Sequence, residues 1–178
     1  MTFARIRSLA IVGVLALAAL LFVVVAIAKD RQTHSHLIQS CPNGAVAANL
    51  RLPDEPKDIK VNIFNATDHA GLAGEVANEF KGRKFNVGQV GNDPLGKRVD
   101  GTGVLRYGPK AVGAAWVVRA YFLNEADLQF DLKRTDDVVD VVLGAGFKQL
   151  ATATEMRQAL TQAGAARLPE GACDAGAH

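Results

Sequence analysis

No aspartate or glutamate occurs before Asp30, and the first 28 residues carry only the positive side-chain charges of Arg5 and Arg7. Aromatic residues are scarce at 6%, with a single tryptophan. A nucleic-acid-binding surface needs a basic stripe with aromatic platforms; neither is present, and nucleic acid is not an expected partner. No Ser or Cys stands at a recognisable motif spacing from a His, which removes the usual support for a hydrolase without closing that route. Internal repeats are absent beyond two loosely similar β-α-β halves, and nothing is of low complexity.

What the N-terminus has instead is an unbroken apolar run from Leu9 to Ala28. As a helix it would span about 30 Å, the thickness of a bilayer's hydrocarbon layer. With Arg5 and Arg7 ahead of it, the run predicts a cytoplasmic N-terminus (1–8), a transmembrane helix (9–28) and an extracytoplasmic remainder. A cleaved signal peptide is the competing reading, because Ala26-Ile27-Ala28 would serve as a cleavage site; the run is longer than such a peptide needs. Either way the rest of the chain is exported. The overall charge of +2 comes from those two arginines, and the exported part is formally neutral.

Cys41 and Cys173 flank the region expected to fold. In an oxidising compartment such a pair reads as one disulfide, the alternative being two unpaired surface thiols.

Residues 29–58 read as a linker, punctuated by Pro42, Pro53 and Pro56, with at most a weak helix around Ala45–Leu50. From Lys60 the pattern becomes regular. Val61, Ile63 and Phe64 mark a strand that ends in the turn-forming run Asn65–Asp68. Leu72, Val76 and Phe80 form one helix stripe that Gly82 stops. Phe85, Val87 and Val90 suggest a second strand, a polar loop runs from Asn92 to Thr102, and Gly103–Tyr107 is a third strand. Gly108-Pro109 opens a helix whose stripe carries Val112, Trp116, Arg119 and Leu123. Leu128, Phe130 and Leu132 alternate with polar residues as in a half-buried strand, and Val138–Leu143 is apolar enough for a central one. Thr152 and Glu155 have capping-box spacing before a last helix bearing Met156 and Leu160, which Gly164 ends. The predicted fold is α/β: a β-α-β-β-α-β-β-α sandwich with a mixed sheet over 59–168, then a polar tail over 169–178.

The strand–turn–helix VNIFNATDHAGLAGEVANEF resembles the opening of the LytR C-terminal domain. There a strand is followed by Asn-Gly-Thr, a few polar residues and Gly-Leu-Ala. Asn65, Thr67, Gly71, Leu72 and Ala73 match, while Ala66 replaces the glycine. Phe85–Gly88, Val104–Pro109 and Val141–Phe147 resemble the family's later strands and its strand-to-helix junction; Gly146 stands where an aspartate is usual. The resemblance covers Ile59 to Phe147. In larger envelope proteins this domain follows a catalytic LytR-CpsA-Psr domain, for which there is no room between Ala28 and Ile59. The chain resembles the stand-alone, membrane-anchored actinobacterial and mycobacterial form associated with cell-envelope integrity. That resemblance implies a non-enzymatic accessory protein, with the membrane and envelope-assembly proteins, peptidoglycan or glycopolymer as partners, and no cofactor. A cell-wall glycan-binding module and a minimal envelope hydrolase or transferase are the alternatives.

Among individual residues, Arg106 and Tyr107 are the candidate binding pair. An arginine fork suits carboxylate or phosphate, and a tyrosine can face a sugar ring. The competing reading is a strand-edge pair whose Tyr is half-buried and whose Arg meets an acid. His34 and His36 supply too few ligands for a metal site, and none is expected. Asp136, Asp137 and Asp140 read as a solvated turn. Gly144-Ala145-Gly146 lacks the third glycine of a dinucleotide loop. Trp116 reads as core. Asn65-Ala66-Thr67 fits a glycosylation sequon, but its turn role explains it.

Overall fold

The computed structural model of the chain describes residues 12–25, 41 and 45–174. The chain divides into two units, Met1–Gln39 and Ser40–His178. In the first, residues 12–25 form a helix, α1, whose apolar side chains are exposed. Among the described residues no helix is long and apolar enough to cross a membrane. The two ends of the expected 9–28 span lie outside the described residues, as do His34 and His36.

The second unit follows the alternation of its sequence. Strand β1 (Val46–Ala48) and a 3-10 turn (Pro56–Asp58) precede β2 (Lys60–Asn65), α2 (Leu72–Gly82), β3 (Asn86–Asn92) and β4 (Gly103–Tyr107). A second 3-10 turn (Pro109–Ala111) leads into α3 (Val112–Ala120), then β5 (Asp127–Phe130), β6 (Val138–Leu143), α4 (Ala153–Ala163) and β7 (Ala172–Asp174). From β2 to α4 this is the predicted element order. The five long strands form one sheet in the order β3-β2-β6-β4-β5. β4 runs antiparallel to β6 and every other pair is parallel, so the sheet is mixed. The apolar run of β6, broken only by Asp140, is explained by its central place, with strands on both sides.

Strand alternation divides the sheet into two faces. Val61, Ile63, Leu105, Tyr107, Val139, Val141 and Leu143 point one way into the core, where they meet Ala73, Val76 and Phe80 of α2 and Val112, Ala115 and Val118 of α3. Phe80 and Phe85 pack edge to face with ring centroids 4.9 Å apart, and Tyr121 closes the cluster 5.3 Å from Phe85. The last helix has the predicted capping box: the Glu155 N–H donates to Thr152 Oγ1, and the Thr152 N–H donates to the Glu155 carboxylate.

Four expectations need correction. The weak helix around Ala45–Leu50 is strand β1, which pairs in parallel with β7, so part of the expected linker and part of the tail form a second small sheet. The segment after β1 then crosses the start of α3. The Gly113 N–H donates to the Asn49 carbonyl at 2.9 Å, and a Cβ on Gly113 would stand 1.9 Å from the Arg51 carbonyl oxygen, so only glycine fits there. Helix α3 ends at Ala120; Leu123 lies beyond it at φ 53° and is 49% exposed, so it is not on the core stripe. Leu132 likewise falls outside β5 and is exposed.

Candidate functional site

The face turned away from the helices carries the polar residues of four strands. Register sets Asn62 of β2 beside Asp140 of β6, Asp140 beside Arg106 of β4, and Arg106 beside Gln129 of β5. Adjacent positions on one face lie close enough for side chains to meet, and here they do. Asn62 Nδ2 donates to Asp140 Oδ1 at 2.8 Å, while Asn62 Oδ1 accepts the Gln89 N–H at the bulge in β3. Arg106 donates through Nε to Gln129 Oε1 at 3.1 Å. Its two terminal nitrogens grip both oxygens of Asp93, at 2.6 and 3.0 Å.

Two residues reach this face from loops. Asp93, just after β3, has a side chain only 1% exposed against 16% for Arg106. The hydrogen bond from Arg106 outweighs burial and, helped by the Leu95 N–H, holds the Asp93 carboxyl below the usual carboxylate range. Arg134 enters from the β5–β6 loop. Its Nη1 donates to Asp140 Oδ2 at 2.8 Å and to the Arg106 carbonyl at 3.1 Å, and its other nitrogens hold Asp136. Burial disfavours the Arg134 charge, but the bonds to Asp136 and Asp140 win and raise its pKa. The loop lies so close that a Cβ on Gly108 would be 2.5 Å from the Arg134 Cβ.

Arg106 and Tyr107 therefore stand on opposite faces of β4, as consecutive strand residues must. β4 is an interior strand between β6 and β5, not an edge. Tyr107 is buried in the core with its ring 5.6 Å from that of Phe130, and burial pushes its hydroxyl up. Arg106 commits Nε to Gln129 and one N–H of each terminal nitrogen to Asp93. Asp136, Asp137 and Asp140 are all ion-paired, Asp137 to Lys60 at 2.9 Å and the others to Arg134. The glycines at 144 and 146 are filled by the chain itself, with the Ala145 N–H on the Val99 carbonyl and the Gly146 N–H on the Gly101 carbonyl. Trp116 is buried, its indole N–H on the Gly164 carbonyl at 3.0 Å. Asn65 is buried at its turn, where Oδ1 accepts from the Thr67 N–H and hydroxyl and Nδ2 donates to the His69 carbonyl.

Cys41 and Cys173 are joined in a disulfide with Cα atoms 5.7 Å apart. Cys173 is the middle residue of β7, so the bond and the β1–β7 pairing clasp the two ends of the unit together.

Sequence reasoning missed Asp93, Gln129, Arg134 and Asn62. The available signal was polar residues at alternate positions of otherwise apolar strands, Asn62 between Val61 and Ile63 and Asp140 between Val139 and Val141.

The family model described as LytR cell envelope-related transcriptional attenuator matches residues 58–147. The cell envelope integrity protein Cei of Mycobacterium tuberculosis is 31% identical over 101 residues, which cover 56% of this chain and 46% of that protein. The chain thus spans about half the length of the curated relative it matches. Among solved structures, the soluble domain of a conserved hypothetical secreted protein from Mycobacterium marinum is similar, with a TM-score of 0.52 and 30% identity. The match covers 71% of this chain and 83% of that one.

Proposed function

The chain belongs to the LytR C-terminal family, and from that premise we propose that it is a membrane-anchored, non-enzymatic accessory protein of the cell envelope. In this reading its second unit lies outside the membrane and supports envelope integrity by binding an assembly protein or wall polymer. The observation that carries the reading is the family match over residues 58–147, joined by a relative named for envelope integrity. The helix at 12–25 within the apolar run, and Arg5 and Arg7 ahead of it, support the anchor. The Cys41–Cys173 bond supports an oxidising compartment. The closed ion-pair network supports a structural task for the polar face, with Arg106 as a clamp on Asp93 and Tyr107 as a core residue, neither contacting ligand.

The experiment is deletion and rescue. Loss of the gene raises sensitivity to detergent and wall-directed antibiotics, and the full chain restores resistance. A version exported without residues 1–28 restores it poorly, because tethering raises effective concentration at the membrane. A reporter active only outside the cytoplasm, fused at His178, reads the topology, and a mature N-terminus at Lys29 would replace the anchor by a signal peptide. Turnover of a glycan or lipid-linked substrate by the purified chain overturns the accessory reading. Retention on purified peptidoglycan would instead select the glycan-binding module.

A further inference from the structure

We infer that the α2–β3 turn and the start of α4 form a docking surface for the anionic headgroups of a lipid bilayer. The choice of occupant rests on the anchored reading above. The surface itself rests on cations that find no acid, in an exported region that is formally neutral. Lys81 lies near the end of α2, and the Lys84 N–H returns to its carbonyl at 2.9 Å. Arg83, between them, places Nη2 3.4 Å from the Ala151 carbonyl and its guanidinium 5.8 Å from the centre of the Tyr121 ring. Burial pushes the Tyr121 hydroxyl up while Arg83 and Arg157 both pull it back, so the Arg157 charge lies near the same ring. Lys148 precedes Ala151 in the same loop.

Two of the acids nearby are already engaged. Glu79 pairs with Arg83 at 3.0 Å, and Glu155 accepts from the Thr152 N–H and hydroxyl at 2.8 Å each. Lys81, Lys84, Lys148 and Arg157 are exposed and make no ion pair among the described residues. Arg51, Lys57, Lys60 and Arg98 each face a carboxylate. Lys97, Lys110, Lys133 and Arg167 are exposed and unpaired as well among the described residues. It is therefore the gathering of Lys81, Arg83, Lys84, Lys148 and Arg157 about Ala151 and Tyr121, not the lack of an acid alone, that marks this surface. Charge complementarity calls for a polyanion, and the apolar run selects the bilayer, since only residues 29–40 separate Ala28 from Cys41. Each such cation near an anionic surface raises the binding constant about fivefold, less as salt screens it.

The test places the full chain in nanodiscs of phosphatidylcholine, with or without an equal part of phosphatidylglycerol, and reads lysine acetylation by mass spectrometry. Labelling of Lys81, Lys84 and Lys148 falls several-fold in the phosphatidylglycerol discs, while the exposed Lys110 and Lys133 keep their rates. Added NaCl at about 0.5 M restores the lost labelling, and Arg157→Gln restores part of it. Unchanged labelling, or equal slowing of all five lysines, overturns the proposal. Protection by soluble polyphosphate without protection by phosphatidylglycerol overturns it in favour of a soluble polyanion. An N-terminus at Lys29 in protein from cells removes the anchor and not the surface, which the same lysines then report on added vesicles of the two compositions.

Discussion

Toward α2 and α3 the sheet presents Val61, Ile63, Leu105, Val139, Val141 and Leu143, all fully buried, while its other side presents Asn62, Arg106, Gln129 and Asp140, beside the buried Phe64 and Val142 of the next row. The first face is held by area and volume. Any apolar side chain of the right size would serve, because burial is non-directional. The second is held by direction: Arg106 grips Asp93, Arg134 grips Asp140 and Asp136, and Asn62 joins β3 to β6. Taking these charges out of water costs several kcal/mol per ion, which the pairing offsets only while every partner is present. One face therefore tolerates conservative change and resists truncation. The other resists loss of one partner and tolerates loss of both.

The sharpest contrast comes from truncation on the apolar face. Leu105→Ala removes a fully buried side chain from an interior strand and should cost about 4 kcal/mol in urea unfolding, whereas Leu105→Met should cost about 1 kcal/mol. On the polar face, Asp93→Ala strands the Arg106 charge and should cost about 3 kcal/mol, the low end for a broken pair because Arg106 keeps some contact with water. Adding Arg106→Met should recover most of that loss. A double variant as unstable as the sum of the singles would show that the pair is not coupled.

The clasp outside both faces should matter less. Cys173→Ala should cost about 2 kcal/mol and leave the far-ultraviolet circular dichroism of the five-stranded sheet unchanged, since that sheet does not include β7. Acid should act on the polar face and spare the apolar one. With the Asp93 carboxyl held low by Arg106, the unfolded chain takes up a proton first as the pH falls. The contribution of the pair is intact above about pH 5 and fades below about pH 4. Asp93→Asn should flatten that fall in a pH series of melting temperatures. Smallest of all, Thr152→Ala should lower the melting temperature by a few degrees through loss of the cap, with neither face affected.

Much of the fold was legible because its signals are local. β4 and β6 stand where their residues alternate or run apolar, α2 follows its stripe, and the capping box at Thr152 and Glu155 forms as its spacing requires. The strands that escaped notice, β1 and β7, are too short to show a period, and each exists only because the other lies beside it. Helix α3 stopped early because Leu123 and Asn124 both take left-handed backbone, a turn that no glycine announced. At the candidate site, an acidic partner for Arg106 was foreseeable in kind but not by name. Asp93 sat in a stretch that read only as a polar loop.

The sequence by itself determined the formally neutral region after the apolar run, the mixed α/β element order from β2 to α4, the pairing of its two cysteines and the family to which residues 58–147 belong. Tertiary structure decided that Arg106 and Tyr107 work on different faces, that Asp93 and Arg134 complete the polar one, and that the two ends are clasped by β1 and β7. The physical reason is range. Alternation along a strand fixes which side chains share a face, but which strands lie side by side is set by contacts between distant segments, and those contacts chose the partners.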